Sequence, residues 1–373
     1  MPSAPVQSLL DRGARVIDPH QVFVDAEVDP ARIHPTATIF PGARLQGRRT
    51  LLGPGAQVGT EGPATLVDSV LAEGASIASG YAKGVVLLRG ASLGGAAHAR
   101  EGTLLEEEAS TAHAVGLKQT ILMSFVTLGS LINFCDVLMA GGTSRKDHSE
   151  VGSGFIHFNF TPWGKSGDKA TPSLIGDAVD GVFLRGKRIF LGGSAGMVGP
   201  RAVGYGSITG AGQVVRRDVG PGRLVVHPAP AVDEPLDGAR DERVEQTLRK
   251  NVRYIANLHA LRAWYQAARL GRARAAGAAD LVAVYEEALR NLDVCLGERV
   301  ARLEGYLGER GRALPKLAPT TPPFFPLAVD AAPEVEHVKW VQALSADDVD
   351  RARAWLAGVA RSVEDGLLTS SAP

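Results

Sequence analysis

Residues 87–138 read LLRGASLGGAAHAREGTLLEEEASTAHAVGLKQTILMSFVTLGSLINFCDVL, and the period of this stretch decides the fold. Stepping by six from Leu87 gives Leu93, Ala99, Leu105, Thr111 and Leu117, and the position four further on reads Ala91, Ala97, Thr103, Ala109, Val115 and Ile121. After a slip in register the pattern resumes at Leu122, Leu128 and Phe134, with Val126, Ile132 and Leu138 at the second inward position. An aliphatic residue followed at a fixed interval by a small or β-branched one, with glycine at the turns, predicts a parallel β-helix. Each hexad makes a short strand and a tight turn, and three hexads close a triangular coil. Successive coils then stack at about 4.8 Å. A β-sandwich would instead show alternating runs every ~8–12 residues.

The hexads extend outward from this stretch. They begin near Ile33–Ala43, weaken over 45–86, and return at Val203, Thr209 and Val215. Glycine is dense as far as about Gly222 and sparse beyond it. This shift divides the chain into an N-terminal segment (1–20), a β-helix (21–226) with a loop excursion at 157–174, and a helical region (236–373) with a Pro-rich connector at 315–333. In the helical region Val244, Leu248, Val252, Ile255 and Leu258 recur at helical spacing, as do Leu281, Tyr285, Ala288, Leu292, Leu296, Val300, Leu303 and Leu307. These predict two long helices in an antiparallel hairpin. A last helix follows, with Ser345 as N-cap and Asp348 three residues on. The fold class is therefore mainly β, with a helical C-terminal part. The arginines of residues 262–274 read as a solvated helix face.

Forty basic and forty acidic side chains balance to zero net charge, which argues against binding nucleic acid or an anionic membrane in bulk. Cys135 and Cys295 lie in unrelated contexts and suggest no disulfide framework. Residues 1–20 lack the apolar run of a signal peptide, and no stretch approaches the ~20 apolar residues of a membrane span, so a cytoplasmic location is expected.

The polar chemistry gathers in residues 130–177, where the repeat is interrupted. His148 and His157 are the candidate bases, since imidazole ordinarily titrates near neutrality. Arg145, Lys146, Lys165 and Lys169 supply cations, and Asn133 and Asn159 supply hydrogen-bonding amides. No metal is expected: His98 and His113 are fifteen residues apart and His148 and His157 nine, unlike the spacing of a three-histidine zinc site. Gly164-Lys165-Ser166 ends like a phosphate-binding loop, but Asn159 stands where its first glycine belongs. Trp163 reads as a cap on the prism surface or as a platform on which a sugar or adenine ring stacks.

Val151-Gly-Ser-Gly154, His157-Phe-Asn159-Phe160, Leu174-Ile-Gly-Asp177 and Val215-Arg-Arg-Asp-Val219 carry a resemblance to a known family. The chain resembles left-handed β-helix (hexapeptide-repeat) acyltransferases over roughly residues 20–225. The nearest likeness is to the acetyltransferase domain of the bifunctional UDP-N-acetylglucosamine pyrophosphorylase/glucosamine-1-phosphate N-acetyltransferase, and to stand-alone bacterial proteins named after it. The resemblance implies an acyl-CoA-dependent transferase, with acetyl-CoA or another acyl-CoA as co-substrate, acting on a sugar phosphate or nucleotide sugar. It also implies a homotrimer with sites between subunits. Carried over, Asn159 and Phe160 match the family's Asn-Tyr pair, Lys165 and Lys169 its loop lysines, and Arg216 or Arg217 its coenzyme A arginine. Phe160 lacks the tyrosine hydroxyl, and Leu138-Met139-Ala140 stands where the family has a lysine pair. The family's catalytic histidine falls nearest His148. No Leu-x-x-Gly-x-Gly-Thr-Arg loop appears, so pyrophosphorylase activity is not implied. Two other readings stay open: a non-catalytic binder of sugar phosphates or nucleotide sugars, and a trimeric scaffold whose helical region recruits a protein partner.

Overall fold

The computed structural model describes residues 1–160, 169–226, 244–317, 324–330, 332–333 and 335–368. Its hexads wind into a parallel β-solenoid. The first of its three faces is an eleven-stranded sheet running from Arg15–Val16 to Leu224–Val225, one strand per turn. The second face runs from Phe23–Val24 to Val214–Val215, and the third from Leu51–Leu52 to Ala202–Val203. Ser92 pairs with Ser110, eighteen residues on, as three hexads require, but Ser110 pairs with Thr127, only seventeen on. The missing residue is lost at the corner between the second and third faces. There Gln119 and Asp136 turn the chain alone, at φ 51° and 63°.

This short corner corrects the expected register. Leu87, Leu105, Leu122 and Met139 stack inside the prism. Ile121 and Leu138, expected to point inward, face outward with Leu104. They are nevertheless buried, because helices cover the third face.

Those helices follow in chain order. Helix α1 (Ala4–Asp11) closes the N-terminal end with Val6 and Leu9, and the short α2 (Ala178–Gly181) leaves a later corner. Helix α3 (Val244–Trp264) continues through a π-helical turn, Tyr265–Leu270, into α4 (Gly271–Ala275). Helix α5 (Ala279–Gly308) returns antiparallel, pairing Asp293 with Arg262, while Arg312 just past its end reaches Glu245. Helices α6 (His337–Ala343) and α7 (Ala346–Leu368) complete the layer. Ser345 accepts from the Asp348 amide at 3.1 Å and donates to its carboxylate at 2.7 Å, a capping arrangement at the start of α7. Parts of the expected excursion and connector, residues 161–168, 318–323 and 331, lie outside the described residues.

Polar groups fix how the helices sit. One stripe of α5 presents Glu287, Asn291, Cys295 and Arg299 at four-residue intervals. Glu287 lies 4.0 Å from Arg49, Asn291 accepts from the Gly102 amide at 2.9 Å, and Arg299 meets Asp136 at 2.9 Å. Twelve helical residues rise about 18 Å, and the four rungs between the Asp68 and Asp136 corners span about 19 Å. The helix therefore meets this edge at intervals along its length, beside Arg49, at Gly102 and at Asp136.

The solvated-face reading of residues 262–274 holds for Arg274, exposed and paired with Glu286, and in part for Arg262, half-buried and paired with Asp293. It fails for Arg269 and Arg272. The Arg269 guanidinium is buried between Glu106 and Glu107, donating to both Glu107 oxygens, and Tyr265 donates to Glu106 at 2.8 Å. Arg272 lies over the Trp340 ring and donates to two backbone carbonyls. The π-helical turn carries both Tyr265 and Arg269, so the widened turn delivers them to one acidic pair.

Candidate functional site

Apart from His157 and Lys165, the expected site residues fall at two corners of the prism. Residues 140–149 form a loop between the third and first faces. Its entry needs glycine: a Cβ at Gly141 or Gly142 would lie 1.7 or 1.9 Å from a backbone oxygen. Thr143 and Asp147 close the loop through a 2.9 Å backbone bond and a 3.1 Å side-chain bond. Arg145 is committed to the scaffold, donating to the carbonyls of Glu108 and Phe125 and to the Thr127 hydroxyl. Lys146 is exposed.

His148 stands at the end of this loop. Its Nδ1 lies 2.9 Å from the Arg145 carbonyl, which can only accept, so that nitrogen carries the proton. The Nε2 lone pair is left available, 3.5 Å from the Glu150 carboxylate. Both residues line a cavity of about 450 Å³ with Lys187, Arg188, Phe190 and Ile208. Arg188 also lies 3.6 Å from Asp147. The cavity thus joins a base with a fixed tautomer, two exposed cations and an apolar wall. Sequence reasoning passed over Lys187 and Arg188, although the run Arg185-Gly-Lys-Arg188 was there to be read.

The other corner lies between the second and third faces. Asn133 and Cys135 approach it on the outer side of the second face. Asp136 turns the corner, and Asn159 sits above it, donating from Nδ2 to Asp136 Oδ2 at 3.1 Å. Phe160, Lys169, Arg216 and Arg217 are exposed along the same edge. Lys250 of α3 ties this edge to the helices through Asp218 at 2.7 Å. Lys165 and Trp163 lie outside the described residues. The helix-covered third face separates this group from His148 within one chain.

His157 joins neither group. It alternates with exposed Ile156 and Phe158, so it points into the prism, edge-on to Phe134. Its Nδ1 donates to the Cys135 carbonyl at 2.6 Å, and its Nε2 accepts from Ser173 Oγ at 2.8 Å. Both nitrogens are occupied, and the ring braces the corner from which the excursion departs. Burial pushes its pKa down to about 4.

This depression carries a stability consequence. The folded chain keeps the ring neutral, whereas the unfolded chain protonates it near 6.5, so stability is full above that pH. It should fall as pH drops from about 6.5 to about 4, by about 3 kcal/mol. Buried His337, also pushed down by burial, adds with the same sign. We expect the melting temperature of His157→Gln to be lower at pH 7 but less dependent on pH across this window. An unchanged slope in the variant would remove His157 from this role.

The thiols offer no alternative nucleophile. Burial and the neighbouring Asp136 charge push the Cys135 pKa up, and burial pushes Cys295 up to about 12. Among the described residues, no three His, Cys, Asp or Glu side chains converge as a metal site would require, and no helix is long and apolar enough to cross a membrane.

No protein-family model matches the chain. Bifunctional protein GlmU of Nocardia farcinica is 29% identical over 218 residues, 58% of this chain and 39% of the relative. That of Kineococcus radiotolerans is likewise 29% identical over 218 residues. That of Thermus thermophilus is 33% identical over 218 residues, 58% of this chain and 42% of the relative. The chain therefore spans about two fifths of the length of these curated relatives. Sequence and fold agree: the chain is a hexapeptide-repeat β-helix protein that resembles bifunctional protein GlmU and carries a helical layer on one face of the prism.

Proposed function

We propose that the protein is a cytoplasmic acyl-CoA-dependent transferase, using acetyl-CoA and acting on an amine or hydroxyl of a sugar phosphate or nucleotide sugar. The likeness to GlmU supports the class. The observation that carries the reading is His148, with its tautomer fixed and Nε2 free in a cavity that also holds Lys187 and Arg188. In the proposed reaction His148 Nε2 takes the acceptor's proton as its nitrogen or oxygen attacks the thioester carbon. The new N–C or O–C bond forms, the C–S bond breaks, and the imidazolium returns the proton to the coenzyme A thiolate. Lys187 and Arg188 would hold a phosphate of the acceptor. Lys169, Arg216 and Arg217 would hold coenzyme A, and Asn133, Asn159 and Phe160 would border the acceptor.

The helix-covered face keeps the two groups apart in one chain, so the complete site is proposed to form between copies in a homotrimer. Exposed Ile156, Phe158, Phe160 and Ile208 support contact through the uncovered faces. The test is release of coenzyme A from acetyl-CoA across a panel of amino-sugar phosphates and nucleotide sugars, with the mass in solution measured alongside. Acceptor-dependent release by a trimer is the expected result. Binding of a nucleotide sugar with neither release nor binding of acetyl-CoA would replace this reading with that of a non-catalytic binder.

A further inference from the structure

Asn159 is held by a chain of contacts that begins in the helical layer. Arg299 of α5 is 3% exposed and places Nη2 2.9 Å from Asp136 Oδ1, while Asp136 Oδ2 accepts from Asn159 Nδ2 at 3.1 Å. Both carboxylate oxygens are thus used, one by the helices and one by the solenoid corner. Arg299 is poorly suited to a purely stabilising role. Its Nε and Nη1 are buried without a hydrogen-bond partner, and its remaining acidic neighbour, Glu298, is 3.8 Å away.

The charge on Asp136 decides which way the Asn159 amide faces. An ionised carboxylate only accepts, so Asn159 must turn Nδ2 toward it and leave Oδ1 outward. A protonated carboxyl could donate instead, and the amide would reverse. Asp136 is 3% exposed, and burial favours its neutral form. On balance burial holds the carboxyl above its ordinary range; the Arg299 charge opposes burial most strongly, the Asn159 hydrogen bond next and Lys118 weakly, while Glu298 acts the other way.

We propose that Arg299 is a positioning residue that acts through Asp136 to present the Asn159 carbonyl, and not its amide, to the ligand. The group that meets Asn159 is then a hydrogen-bond donor, such as an acceptor hydroxyl or amine, and not an oxyanion. This rests on the reading above that Asn159 borders the acceptor. It also gives the helical layer a part in selecting the ligand.

The test is nuclear magnetic resonance of the Asn159 side-chain amide in the full-length ¹⁵N-labelled protein, assigned by its loss in Asn159→Ala. In the unsubstituted protein the amide protons should exchange slowly. Arg299→Met should shift the signal and speed exchange by about tenfold, the loss of one charge-assisted hydrogen bond. Arg299→Lys should restore part of the protection, and Arg302→Met, which touches only Glu298 among these residues, should leave it unchanged. If Arg299→Met does not fold, Asp136→Asn removes the charge at constant size and should shift the same signal. An unaltered Asn159 signal in whichever of these variants folds overturns the proposal. A responsive amide in a protein without transferase activity would retire the proposed function and leave the positioning intact. Transferase activity with an unresponsive amide would do the reverse.

Discussion

Replacing Arg269 by methionine is expected to destabilise the protein by about 3–5 kcal/mol at pH 7. Among the described residues, the guanidinium is the one cation in direct contact with both buried carboxylates, Glu106 and Glu107. Burial drives Glu106 upward, whereas at Glu107 the charge and hydrogen bonds of Arg269 outweigh burial and hold the carboxyl low. Without Arg269, the Tyr265 hydroxyl, the Ser124 amide and hydroxyl and the Glu107 backbone amide would be left to serve two carboxylates. Both would then titrate above their unfolded range. A raised carboxyl pKa contributes stability below the unfolded value and loses it as pH rises through the folded one. The deficit relative to the unsubstituted protein should therefore shrink as pH is lowered from 7 toward 4. Denaturant titrations at several pH values measure it. Adding Glu106→Gln and Glu107→Gln should recover most of the loss by removing the buried charges together. If the single and triple variants were equally unstable at every pH, the loss would come from packing and the electrostatic account would fail.

The same cluster shows what the sequence could and could not disclose. The hexads from Leu87 to Leu117 are local, so their period alone gives the coil. The apolar spacing from Val244 to Leu258 likewise gives α3. The register slip was legible, and Leu122, Val126, Leu128, Ile132 and Phe134 point inward as expected; the outward turn of Ile121 and Leu138 was not, because it depends on whether Gln119 and Asp136 each turn a corner unaided at positive φ. The burial of Arg269 was hidden for another reason: its partners lie more than 160 residues earlier in the chain. His157 was legible in part. It alternates with Ile156 and Phe158, and a strand residue two places after inward-facing Phe155 also faces inward. The residues at the two corners were read as one cluster because they are near in sequence. The prism places them on different edges, and only the coil geometry shows it.

His148→Gln is expected to lower kcat by about 10²–10⁴-fold, the usual contribution of general-base catalysis, with little change in KM. Glutamine approximates the size of the ring but has no basic lone pair, so a loss confined to kcat would assign the proton transfer to this side chain. Glu150 lies 3.5 Å from Nε2 and can stabilise the imidazolium that forms, so Glu150→Gln should cost less, about tenfold. Lys187→Met should act differently. It removes a cation from the cavity without touching the base, so it should raise KM for a phosphorylated acceptor and leave kcat near its original value. The arrangement also distinguishes His148 from His157, whose two nitrogens are already engaged by Cys135 and Ser173. If His148→Gln kept more than about a tenth of kcat while His157→Gln, correctly folded, lost it, the base would belong inside the prism and the cavity would be bystander surface.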